Sequence, residues 1–296
     1  MTRHMDIEQR RSSNDGGGDS DSDEKEKKDR EREEDEVHEK AAAGAHIVYK
    51  AILKEADEEL ARPSIALAWS GLAAGLSMGF SLVAEGLLRA HLPESPWRSL
   101  VAKLGYSIGF LIVILGRQQL FTENTLTPIL PLLKRRDAGT FANVMRLWIV
   151  VLLTNLIGAA LFAYAVQRTS AFEPQVKETF RLLGMEAMEP PFRHLLVKGI
   201  FAGWLIALMV WLLPVAETGR ISVIIIITYI VGLGQLSHII AGSVEALYTV
   251  AGGEHSWGEF LGHYALPTLI GNCIGGVTLV AALNYAQVAA GGDDEE

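Results

Sequence analysis

Three side chains could handle a small ion within apolar surroundings: Thr122, Asn124 and His238. Thr122 and Asn124 stand in Gly116-Arg117-Gln118-Gln119-Leu120-Phe121-Thr122-Glu123-Asn124-Thr125, a polar stretch inside a hydrophobic segment. His238 stands in a second such interruption, running from Gly232 to Ser243. Hydroxyl and amide groups donate hydrogen bonds, and an imidazole is neutral or cationic near physiological pH. Together they can lower the dehydration cost of a small anion, or hand a proton to a weak-acid anion in transit. Asn155 and Asn272 sit in two further apolar segments, where an amide either meets a solute or ties helices together. Taken alone, His238 would equally read as a hydrogen bond between helices.

Other chemistry finds little support. The one Gly-x-Ser-x-Gly match, Gly75 to Gly79, belongs to the packing glycines of an apolar segment, and there is no His-Glu-x-x-His and no Asp pair within residues 63–290, so an enzyme is not expected. His255 and His263 lack metal-ligand spacing, and no metal or cofactor is expected. The single cysteine, Cys273, excludes an intrachain disulfide and reads as packing. No nucleic-acid motif occurs.

The segments that would position these groups are mostly membrane-like, and mean hydropathy is positive. The net charge of −9 comes largely from the ends. Residues 1–44 read as a disordered charged tail and 291–296 as an acidic one. The N-terminus lacks an apolar core before residue 47, so no signal peptide is expected. Residues 45–62 form an amphipathic helix with Ile47, Ala51, Ile52, Ala56 and Leu60 on one stripe, lying on the membrane or under the bundle.

Residues 63–290 hold six spans. Ser64 to Ala84 is the first, with Gly71, Gly75 and Gly79 at packing spacing, and Glu85 and Arg89 are placed to pair beyond it. The second, about 100–133, is broken at the Thr122 stretch, because neither side alone reaches the roughly 20 residues a spanning helix needs. The third is Leu147 to Val166, followed by a polar external connection over 167–193. The fourth is His194 to Ala216, the fifth is Ile221 to Val250 with its break at His238, and the sixth starts at His263. Gly71-x-x-x-Gly75 recurs as Gly199-x-x-x-Gly203, and Asn155-Leu-Ile-Gly158 as Asn272-Cys-Ile-Gly275. The break centres, taken as Thr122 and His238, lie 116 residues apart. This predicts an all-α membrane protein with an inverted three-plus-three repeat, its half-helix N-termini facing one central point.

These residues resemble the formate/nitrite transporter family of pentameric anion channels. The motifs are Leu120-Phe121-Thr122, Asn155-Leu-Ile-Gly158, His238-Ile-Ile-Ala-Gly242 and Gly271-Asn272-Cys-Ile-Gly275-Gly276. The resemblance covers about residues 45–290 and implies an aquaporin-like protomer with one pore in each copy of a homopentamer. It puts Thr122 and His238 at the pore centre and lines its constrictions with Tyr106, Phe110, Leu120, Phe121, Ile206 and Val231. It also implies a bacterial inner membrane, lipid contact and cytoplasmic termini.

Some positions depart from that pattern. Gly203 stands where the family has Asn, and no Lys matches near Ala187, although Arg181, Arg193 and Lys198 are close in sequence. Arg117 and Glu123 bracket the first motif. A carboxylate beside an anion path repels the solute, so Glu123 is expected to pair with Arg117, to be neutral, or to turn toward the cytoplasmic face. Left unpaired along the path, it would count against a simple anion channel. The reading is therefore a channel or proton-coupled transporter for small monovalent weak-acid anions. Its alternatives are a channel for a neutral or cationic solute and a non-conducting scaffold or sensor.

Overall fold

The structure, a computed structural model, describes residues 47–290. The expected tails, 1–44 and 291–296, lie outside the described residues. Ten helices organise the described part: α1 (47–61), α2 (Ser64–His91), α3 (Arg98–Leu115), α4 (Ile129–Arg135), α5 (Ala138–Arg168), α6 (Pro174–Met188), α7 (Phe192–Val215), α8 (Arg220–Leu233), α9 (Ala241–Gly252) and α10 (Trp257–Gln287). α2, α3, α5, α7 and α10 are each long and apolar enough to cross a bilayer. α10 contains π-helical turns over Phe260–Ala265 and Ile274–Ala282.

α2 lies along α5, and α7 along α10, at backbone contact. A methyl added to Gly75 would stand 2.1 Å from the Asn155 carbonyl oxygen, and one on Gly203 would stand 2.3 Å from that of Asn272. Both positions must therefore be glycine for the helices to approach so closely.

α1 packs under one end of the bundle. Ile52, Ala56 and Leu60 are buried as the stripe requires, but Ile47 and Ala51 are exposed and Val48 and Tyr49 take their places. Arg146 of α5 donates to the Leu60 and Arg62 carbonyl oxygens, at 2.7 and 2.9 Å, satisfying carbonyls where α1 ends. Arg135 reaches both oxygens of Asp57. The far end of α5 meets α6, a helix within the stretch read above as an external connection. Pro174 opens α6, and Val176, Phe180 and Leu183 form its buried face.

Glu85 and Arg89 do not pair with each other. Glu85, 1% exposed, faces α3 and binds Lys103 at 2.5 Å, while Arg89 points toward α6 and holds Glu186. Burial next to α3 outweighs the weak attraction of an i,i+4 pair at a helix surface.

Candidate functional site

α3 and α8 end in the same way. Each closes with a glycine followed by a residue in the left-handed region: Gly116 then Arg117 at φ 50°, and Gly234 then Gln235 at φ 47°. Gln118 N then reaches Val113 O, and Leu236 N reaches Val231 O, so each chain folds back on the helix it has left.

The returning loops are tied by two asparagines. Asn155 Oδ1 accepts from Phe121 N, and its Nδ2 donates to the Gly71 and Gln119 carbonyls. Asn272 Oδ1 accepts from Ile239 N, and its Nδ2 donates to the Gly199 and Ser237 carbonyls. Each set contains three bonds of 2.7 to 2.9 Å. In each set two of the three bonds go to loop backbone that no helix pairs, and the third anchors the amide on a glycine carbonyl of α2 or α7.

These bonds align the breaks at 118 residues, as Phe121 with Ile239 and Arg117 with Gln235. His238 thus corresponds to Leu120, and the offset of 116 taken from Thr122 is corrected. Thr122 and His238 are not equivalent, yet they meet: Thr122 Oγ1 lies 2.8 Å from His238 Nε2, with both residues buried.

The ring's other side fixes its tautomer. His238 Nδ1 accepts from Ile240 N at 3.2 Å and Ala241 N at 3.1 Å, capping α9. Nδ1 is therefore an acceptor, and the ring proton sits on Nε2 and is donated to Thr122. The Thr122 hydroxyl keeps its own proton for another acceptor. At this break the helix-terminal amides expected to face a solute are taken by the imidazole, because an unpaired amide in a dry interior is expensive.

Phe110 packs edge-on against His238, with centroids 5.0 Å apart, and Tyr106 packs on Phe110 at 5.4 Å. Phe121 packs on Trp148 at 5.7 Å. All six expected constriction residues are buried, namely Tyr106, Phe110, Leu120, Phe121, Ile206 and Val231. Asn124 belongs to a loop network instead: its Nδ2 donates to Gln119, its Oδ1 accepts from Thr127, and both partners bond to Glu59.

α3 reaches two cavities. Lys103 and Tyr106 line one of about 50 Å³ beside α6, with Ser237 and Glu245. Ile114 lines one of about 420 Å³ above α1, with Arg117, Gln118 and Glu123. Among the described residues Glu123 makes no ion pair with Arg117, and its Oε1 is buried without a partner. Sequence reading missed Arg220 and Gln118, which share that cavity; Arg220 carried one signal, a lone charge where a hydrophobic helix starts.

Two fold-back breaks, tied by asparagines and meeting at a buried polar contact inside apolar helices, define a membrane transport scaffold. Residues 46–286 match the family model described as formate/nitrite transporter, and the chain belongs to that family. It is 41% identical over 250 residues to the inner membrane protein YfdC of Escherichia coli, covering 84% of this chain and 81% of that one. A solved "FNT family ion channel" superposes with TM-score 0.71 at 20% identity, covering 82% of this chain and 99% of the other. A "pentameric formate channel with formate bound" gives 0.65 at 18%, covering 76% and 98%. The last two likenesses are of fold.

Proposed function

We propose that this protein is a channel or proton-coupled transporter for small monovalent weak-acid anions, with Thr122 and His238 at the centre of its path. The Thr122–His238 contact carries the reading, since it sets one uncommitted hydroxyl proton where the two breaks meet. An anion entering there loses water and gains that donor. The surrounding apolar side chains refuse bare charge, and Glu123, unpaired on the α1-side cavity, counts against a simple anion channel; both favour solutes neutralised by a proton and the proton-coupled form of the reading.

The 118-residue alignment supports an inverted three-plus-three arrangement, because three crossings per repeat turn the second copy over. On α5, Ile149, Leu153, Ile157 and Leu161 are each 52–55% exposed and stand four residues apart, suiting lipid or a sister chain. That stripe and the pentameric formate channel among the structural neighbours support a homopentamer. The name of the Escherichia coli relative supports a bacterial inner membrane. Cytoplasmic termini, with the α1 side inward, complete the reading. Asn155, Asn272 and Asn124 would support the path from behind.

Flux in proteoliposomes tests it, with formate, nitrite, acetate, lactate and hydrosulfide offered in turn and His238→Phe alongside. Transport of at least one of them, abolished in His238→Phe, is expected. Absence of transport for all five overturns the reading.

A further inference from the structure

Three buried polar atoms without a hydrogen-bond partner belong to residues lining the 420 Å³ cavity on the α1 side: Glu123 Oε1, Gln118 Oε1 and Arg220 Nε. The remaining charge on its wall comes from Lys54, Glu55, Glu58 and Glu59 of α1, from Arg62 just beyond it, and from Arg117 in the same break as Glu123. α7 adds only apolar Val210, Leu213 and Pro214. Glu59 is already engaged, accepting from Gln119 and Thr127. No described charge forms an ion pair with Glu123.

The unmet groups are two acceptors and one donor. A bare carboxylate offers acceptors only; it would suit Arg220 and be refused by Glu123 and Gln118. An ammonium ion offers donors only and would be refused by Arg220. A carboxylic acid that keeps its proton offers both kinds. Its single hydroxyl can donate to Glu123 and its carbonyl can accept from Arg220, which meets two of the three groups, including one of each kind.

We infer that Glu123, Gln118 and Arg220 form a binding site for a short monocarboxylic acid together with its proton. The inference rests on the proposed function and names the form in which the solute approaches the Thr122–His238 contact. One proton from solution accompanies each carboxylate. It is shared between the solute and Glu123, and only O–H bonds form or break. Chloride and nitrate, anions of strong acids, bring no such proton and meet Glu123 as like charge. The two-fold counterparts of Glu123 and Gln118 are Ala241 and Leu236, so the opposite side has no equivalent site.

Acetate binding to the purified full chain, followed by calorimetry in buffers of different ionisation enthalpy, counts the protons. Measured at about pH 9, so that the free site starts without the proton, about one proton taken up per acetate is expected for the unaltered chain and about none for Glu123→Gln. Affinity should also weaken about tenfold in Glu123→Gln and in Arg220→Gln, with proton uptake kept in the latter. Binding without proton uptake, unchanged uptake in Glu123→Gln, or no acetate binding at all overturns the site. Flux separates the two readings. Transport without proton-linked binding refutes this site alone, whereas proton-linked binding without any transport refutes the proposed function alone.

Discussion

Thr122 Oγ1 accepts the proton of His238 Nε2 at 2.8 Å because the other ring nitrogen is held as an acceptor by the amides of Ile240 and Ala241. Thr122→Val removes that acceptor and strands an N–H in a dry contact. Formate flux should fall about tenfold or more, and Thr122→Ser should recover most of it. Initial rates in proteoliposomes at matched protein content check this. A Val variant as fast as the parent would remove Thr122 from the path.

Asn155 and Asn272 should be interchangeable in their cost. Each makes two bonds to loop backbone that no helix pairs and a third to a glycine carbonyl within a helix. Asn155→Leu and Asn272→Leu should each destabilise the protein by about 2–4 kcal/mol, since buried amides and carbonyls are left unmet. Thermal unfolding of the detergent-purified chain reads this out. Loss of flux with unchanged melting would instead show that the amides meet the solute.

Lys103 and Glu85 form an ion pair with the carboxylate 1% exposed. Removing one partner strands the other. Lys103→Met alone should cost about 3–5 kcal/mol, and adding Glu85→Gln should restore much of it. A double-mutant cycle on melting measures the coupling, and simple additivity would refute the pairing.

The seating of α1 should depend on pH through Glu59. Burial raises this carboxyl above its ordinary value; the hydrogen bonds from Gln119 and Thr127 pull it down by less. A raised value means that the seated state binds the proton more tightly. Its contribution is therefore full below the ordinary glutamate range and is lost as pH rises through the raised value. Amide exchange over residues 47–61, corrected for intrinsic rate, should be faster at about pH 8 than at about pH 5, straddling that range. Glu59→Gln should remove the difference, and a persisting difference would assign it to another group.

The polar breaks were legible in the sequence because amides and charges inside apolar runs have few explanations. The glycine pairs and asparagines were legible because they recur in order. Their register was not. It is set by which carbonyl each asparagine reaches, and two residues of error moved His238 from Leu120 to Thr122. α6 escaped because its apolar face is narrow and its surroundings are polar, although Pro174 with Val176 and Phe180 marked it. Glu85 was assigned to Arg89 because local spacing is visible, whereas burial against Lys103 is not. Gln118 and Arg220 lie 102 residues apart, and only the fold shows that they share a wall.

The two breaks share a backbone but not a lining. Arg117, Gln118 and Glu123 of one break correspond, at the 118-residue offset, to Gln235, Leu236 and Ala241 of the other. On the path proposed here, a solute therefore meets different approach chemistry according to the side from which it comes. For a passive path, detailed balance fixes the ratio of maximal rate to half-saturation as equal in both directions, but not the two quantities separately. Entry from the Glu123 side should saturate at a lower concentration and run at a lower ceiling, so that the protein behaves as a rectifier built on a symmetric frame.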